Sequence, residues 1–157
     1  MLVSGEEGED YRSNQRNYYN KEDVLGPESE TIKLNRKGFK YYVDLKFNGT
    51  ESKDHCIFDT GAFGITIGKR LYSRLKSEGL KVRDLNMKSK ILGIGGTSTG
   101  DYVLFDTIEI GGYTIKNVIA HVVTDNDLTL IGIDFFDKFG NVQWNRNQSS
   151  LTLTRDK

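Results

Sequence analysis

From Thr31 onward the chain is a series of short apolar and polar alternations cut at regular intervals by Gly and Asn. Over 39–47, Phe39, Tyr41, Val43, Leu45 and Phe47 share one face at period two. Asn48-Gly49 follows, the dipeptide that best tolerates the positive φ angles of a tight hairpin. The spacing predicts a strand over 39–47 and a returning strand over 55–59. The period then changes. Over 69–78, Leu71, Tyr72 and Leu75 recur at helical spacing and Gly79 follows, which predicts a short helix with a glycine stop. Further strands are predicted over 90–92, 102–110 and 113–123, the last two joined through Gly111-Gly112. Asp134 is expected to cap a brief helix over 135–139 that Gly140 ends. Segments 142–144 and 151–154 are expected to close as a hairpin across 145–148. Many short strands with two small helices predict a compact, mostly β barrel, and the parallel sheet of a nucleotide-binding fold fits poorly.

Residues 1–30 show neither period and are rich in Glu, Asn, Ser, Gly and Arg. They read as a flexible N-terminal tail or linker, which leaves 31–157 as the single domain. Tyr11, Tyr18 and Tyr19 are the aromatics through which such a tail can dock. Lys plus Arg equals Asp plus Glu at 22 each, so no basic stripe is available to track phosphates and nucleic acid is not an expected partner. No apolar run approaches the roughly 20 residues that span a bilayer, so the chain reads as soluble, with no membrane segment in it. A removed export signal or a separate membrane anchor would leave no trace here, and the compartment stays open.

One stretch does not behave like an ordinary strand and turn. Cys56-Ile57-Phe58-Asp59-Thr60-Gly61-Ala62 runs an apolar strand into a carboxylate, where burial would penalise the charge. Thr60 adds a hydroxyl that can bond locally, and Gly61 lets backbone approach closely. This is a loop that presents an acid. At average residue usage, Asp-Thr-Gly arises by chance in about 3% of chains this long, and the flanking apolar and small residues lower that to roughly 0.1%.

Ile57–Ala62 resembles the apolar-apolar-Asp-Thr-Gly-Ala/Ser signature of the aspartic proteases, and the chain length is similar to that of their retropepsin-like branch, retroviral in type with bacterial members. Two further matches fall in order. Ile91-Leu92-Gly93-Ile94-Gly95-Gly96 resembles the family's Gly-rich flap hairpin, and Leu130-Ile131-Gly132 resembles the motif preceding its C-terminal helix. The resemblance covers 31–155 and implies a single-lobe acid-protease β-barrel with one or two short helices.

It also implies an aspartic endopeptidase that hydrolyses peptide bonds of extended polypeptide substrates without cofactor or metal. Asp59 matches the catalytic acid. Thr60 matches the threonine that bonds to a partner's loop and orients the two carboxylates, and Gly61 and Ala62 match positions along the substrate's path. Gly93, Ile94, Gly95 and Gly96 match the flap that closes over substrate. The polar Thr97-Ser98-Thr99 departs from the viral pattern and leaves flap length and closure open. In the family two aspartates share one proton, because like charges about 3 Å apart cannot both ionise. This chain has one such loop, so the second Asp59 must come from a second copy, and a homodimer active at mildly acidic pH is expected. The alternative is a catalytically inactive peptide-binding or dimerisation module that keeps the fold.

Other candidates have plainer explanations. Phe105-Asp106-Thr107 repeats part of the motif, but Ile108 replaces the glycine and Asp106 reads as a solvated strand residue. His55 and Cys56 are strand neighbours facing opposite ways, so Cys56 is expected in the core. His121 stands alone, and two histidines in the whole chain suggest no metal cluster. Gly93–Ser98 lacks the third glycine of a dinucleotide fingerprint. The sequons at Asn48 and Asn147 matter only in a secretory setting.

Overall fold

The structure, a computed structural model, describes residues 2–3, 21–93 and 96–156. In chain order the strands are β1 (Leu2–Val3), β2 (Val24–Leu25), β3 (Ser29–Lys33), β4 (Asn35–Lys37), β5 (Lys40–Tyr42), β6 (Leu45–Phe47) and β7 (Thr50–Glu51). They continue with β8 (Cys56–Phe58), β9 (Ile65–Ile67), β10 (Arg83–Gly93), β11 (Gly96–Ile110), β12 (Tyr113–Val123), β13 (Thr129–Ile131), β14 (Phe139–Asn145) and β15 (Ser150–Arg155). Among the described residues, two short α-helices, α1 (Lys69–Ser77) and α2 (Ile133–Phe136), and two single 3-10 turns, Lys21–Asp23 and Lys53–His55, complete the regular structure. No helix among the described residues is long and apolar enough to cross a membrane.

The large sheet runs β1-β10-β11-β12-β9-β13-β8-β5-β4, and a smaller one runs β14-β15-β3. Its curl follows from one short segment. β5 pairs with β8 while the directly following β6 pairs with β11, so residues 40–47 bridge two distant stretches of the same sheet and bend it into a half-barrel. Tyr41, Val43, Leu45 and Phe47 point inward along that bridge, and the Phe47 and Phe105 rings meet at 5.0 Å. The smaller sheet is tied on through Tyr113, whose hydroxyl donates to the Leu153 carbonyl at 3.0 Å and whose ring meets Phe139 edge-on at 5.0 Å.

The mostly β architecture, α1 with buried Leu71 and Leu75, the 113–123 strand and the C-terminal hairpin are as the spacing predicts. Five details differ, the first being that the helix expected over 135–139 spans Ile133–Phe136, while Phe139 and Gly140 already belong to β14. Phe39 is 97% exposed instead of inward-facing, because Lys37 pairs with Lys40 and Gly38-Phe39 form the tip of the β4–β5 turn, with Gly38 at φ +63°. The strand returning from Asn48-Gly49 is β7, with Phe47 opposite Thr50, and 56–58 pairs with β5 and β13 instead. The strand predicted over 90–92 runs from Arg83, with a register shift between Asp84 and Lys88 where Asn86 takes φ +56°. Residues assigned to the tail join the body: Val24 is 2% exposed and pairs with Ile115, and Ser29–Lys33 pairs with β15. Lone apolar residues such as Val24 carry no period, so the pattern could not reveal them.

Asn48 does more than turn the chain. Its side-chain oxygen accepts from Thr107 N–H at 3.1 Å and its amide donates to the Lys81 carbonyl at 2.7 Å, docking the hairpin on β11. Asp106 stands on the solvent side of β11, 3.8 Å from Arg83, as a strand residue should. His121 is buried on β12 against the Tyr102 ring, centroids 5.6 Å apart, and a Cβ on Gly100 would lie 2.9 Å from its Cε1. Burial pushes the imidazole down to about 4.

Two expectations follow for stability. Val24→Ala should cost about 2 kcal/mol in urea unfolding, whereas Leu25→Ala, at a half-exposed neighbour, should stay within about 0.5 kcal/mol. His121 binds its proton less readily folded than unfolded, so between pH 6.5 and about 4 the unfolded chain holds more protons and stability falls on acidification. The contribution is on the order of 3 kcal/mol, and His121→Gln should flatten the urea midpoint's slope across that window. An unchanged slope would remove His121 from the acid response.

Candidate active site

The acid loop is shaped by the strand laid between its two ends. β13 runs parallel to β8, with Ile131 opposite Phe58, and antiparallel to β9, with Ile131 also opposite Ile65. β8 leads into the loop and β9 leaves it, so one strand holds both stems. Asp59 N–H donates to the Ile131 carbonyl at 3.0 Å at the entry. At the far end of β9, Gly68 N–H donates to the buried Thr129 hydroxyl at 2.9 Å.

Within the loop, Ala62 N–H donates to the Asp59 carbonyl at 3.2 Å and closes a turn. Gly61 N–H donates to Asp59 Oδ1 at 2.8 Å, so the loop's own backbone aims the carboxylate. A Cβ at Gly61 would sit 3.3 Å from that oxygen, tighter than a side chain normally tolerates. Asp59 is half-buried, while Thr60 and Gly61 are exposed. Ala62 is buried and its carbonyl accepts from Ile133 N–H at 3.2 Å, so only its neighbours offer open backbone.

The loop's second half is clamped by the Leu130-Ile131-Gly132 segment. Gly132 N–H donates to the Gly64 carbonyl at 2.6 Å. A Cβ on Gly132 would lie 2.6 Å from the Ala62 carbonyl carbon and closer still to its oxygen, so only glycine fits there. Gly64, at φ +54°, donates its N–H to Asp134 Oδ1. Asp134 therefore does not cap the helix as expected; Gly132 is the capping residue of α2, and the carboxylate reaches across to the acid loop. Burial raises the Asp134 pKa, and the Gly64 bond works against that rise. Gly64 had no signal in the sequence beyond its closeness to the acid motif, and the signal at Asp134 was that of a helix cap.

Behind the loop, Phe58 meets Phe136 at 5.5 Å and Trp144 at 5.2 Å, both edge-on, and Trp144 meets Tyr41 at 5.4 Å. This aromatic group joins β8, α2 and β14 under the acid. Cys56, three residues before Asp59, is completely buried, and burial pushes its thiol up to about 12, which leaves no nucleophile there.

The second Gly-rich segment forms the end of the β10–β11 hairpin. Gly93 pairs with Gly96, Leu92 with Thr97 and Ile91 with Ser98. Ile94 and Gly95, expected at its tip, lie outside the described residues.

The family model for aspartyl proteases matches residues 43–135, from the residue after β5 to the third residue of α2. Among solved structures, a retropepsin-like aspartic protease from Rickettsia conorii superposes with a TM-score of 0.55 over 83% of this chain and 91% of that one, at 21% identity. At that identity the likeness speaks for the half-barrel fold. Among curated proteins nothing matches.

The clamp is testable by chemical denaturation. Gly132→Ala should cost about 1–3 kcal/mol because backbone atoms must give way. Asp134→Asn keeps an acceptor for Gly64 and should be nearly neutral, whereas Asp134→Ala, which orphans that N–H, should cost about 1–3 kcal/mol. Equal losses for Asn and Ala would mean that the charge, and not the hydrogen bond, matters.

Proposed function

The chain belongs to the aspartyl protease family, and from that premise we propose that it is an endopeptidase whose catalytic pair is Asp59 from each of two identical copies. The observation that carries the proposal is the acid loop itself, in which Asp59 sits half-buried with its carboxylate aimed by the Gly61 N–H and its stems fixed by β13. A carboxylate held this way, with Thr60 and Gly61 exposed beside it, suits an isologous contact in which two loops meet on a two-fold axis.

In that arrangement one carboxylate is ionised and acts as general base on a water, while the other keeps the shared proton and polarises the scissile carbonyl. The tetrahedral oxyanion is stabilised by that protonated acid, and no covalent intermediate forms. Thr60 is proposed to bond across the two-fold axis and hold the pair in register. The substrate lies extended, held by main-chain hydrogen bonds like an added strand, with the exposed Gly61 beneath it, buried Ala62 supporting that segment from below, and the Gly93–Gly96 hairpin above as a flap that excludes water. Because the pair works with one proton between its two members, activity should peak at mildly acidic pH with two limbs that belong to the pair.

The test uses purified full-length protein and a denatured protein substrate at several pH values. Asp59→Asn should lower cleavage by about 10²–10⁴-fold or more. Thr60→Ala should shift the monomer–dimer balance toward monomer in sedimentation with Asp59 intact. Equal cleavage by the wild type and Asp59→Asn would expose a contaminating protease. No cleavage at any pH, with a monomeric profile, would leave a non-cutting module of the same fold.

A further inference from the structure

β4 is the last strand at its end of the large sheet, and it turns into β5 through Gly38-Phe39, with Lys37 paired to Lys40. Every residue from Asn35 to Lys40 is exposed, and Phe39 at the tip is the most exposed large apolar side chain among the described residues. Leu34 N–H donates to the Ser149 carbonyl at 2.7 Å, which sets the β14–β15 turn beside β4. A strip of cations and rings joins the two. The Arg36 guanidinium lies 5.7 Å over the Tyr41 ring, Tyr41 meets Trp144 at 5.4 Å, and Arg146 lies 5.6 Å over the partly exposed Trp144. The charge is one-sided. Residues 31–43 and 138–155, which supply these side chains, hold seven of the chain's 22 cations and none of its 22 acids.

We propose that the β4–β5 hairpin docks the protein on an anionic lipid surface, with Phe39 entering the boundary between headgroups and acyl chains and Arg36, Lys37, Lys40 and Arg146 facing the lipid phosphates. An apolar ring on a projecting turn is buried only by a partner that yields around it, whereas sites for small molecules are concave. A fluid interface yields, and each cation brought to an anionic one adds about fivefold in affinity. Trp144 and Tyr41 have the mixed apolar and polar character of side chains that settle at a membrane–water boundary. Single-stranded nucleic acid would meet the same cations, but it needs open ring faces for its bases, and guanidinium groups already cover one face of Tyr41 and one of Trp144. Docking of this kind makes no use of Asp59 and holds whether or not the chain cleaves peptides.

The test is sedimentation of the full chain with vesicles of phosphatidylcholine alone and of equimolar phosphatidylcholine and phosphatidylglycerol. Binding is expected with the anionic vesicles only, and it should weaken as salt is raised. Phe39→Ser should reduce it about tenfold, and Lys37→Gln with Lys40→Gln about tenfold or more. These side chains are exposed, so the variants should keep the wild-type urea midpoint. Leu128→Ser, at an exposed apolar residue beyond the opposite end of β13, should leave binding unchanged. Equal binding to both kinds of vesicle, binding to neither, or anionic binding untouched by Phe39→Ser would each overturn the proposal. Capture of single-stranded oligodeoxythymidine through the same cations with vesicles ignored would overturn it in favour of a nucleic-acid surface. A lipid-free dimer that Phe39→Ser dissolves would also overturn it, because the tip would then be a contact between copies.

Discussion

Insertion of β13 between β8 and β9 is the constraint on which the acid loop depends. Six residues, 59–64, leave one neighbour of β13 and return to the other, and their path is set by backbone groups on the inserted strand and on the Gly132 that ends it. Gly132 must be side-chain-free because the Ala62 carbonyl lies where a Cβ would go. The Asp134 carboxylate then fixes Gly64 across 70 residues of sequence. None of these contacts is local. The loop's shape is a property of the closed half-barrel, and a peptide containing only residues 56–67 would have no reason to hold its carboxylate in place.

Tertiary closure also explains how much of the molecule could be read in advance. Periodicity found the elements whose inward residues alternate regularly, such as 113–123, and the helix at 69–77 with its two buried leucines. It failed where a turn interrupted an apolar run. Phe39 continued the alternation of Tyr41 and Val43, yet Gly38 turns the chain there and sends the ring into solvent. The acid loop was legible because its chemistry needs an unusual string of residue types. Its supports were not. Asp134 has the composition of a helix cap, and only the distant arrival of Gly64 gives its carboxylate another partner. Val24 and Leu2–Val3 join the sheet through main-chain pairing, which leaves no imprint on composition.

Acidity acts on this protein in two opposed ways under the proposed mechanism. The paired aspartates need a proton that low pH supplies, while His121, buried behind β11, resists taking one until about pH 4 and makes the fold weaker as it is forced to. Gly100 is bound up with that cost, since any larger residue there would meet the imidazole and the Val122 carbonyl. The working range is therefore bounded below by the barrel as well as by the chemistry.

The strand beneath the acid also carries a built-in clock. Cys56 is the chain's one sulfhydryl and lies wholly out of reach of solvent. An alkylating reagent can find it only when β8 comes away from its neighbours, so the speed of modification under native conditions counts how often the floor of the acid loop gives way, with no competing thiol to confuse the count.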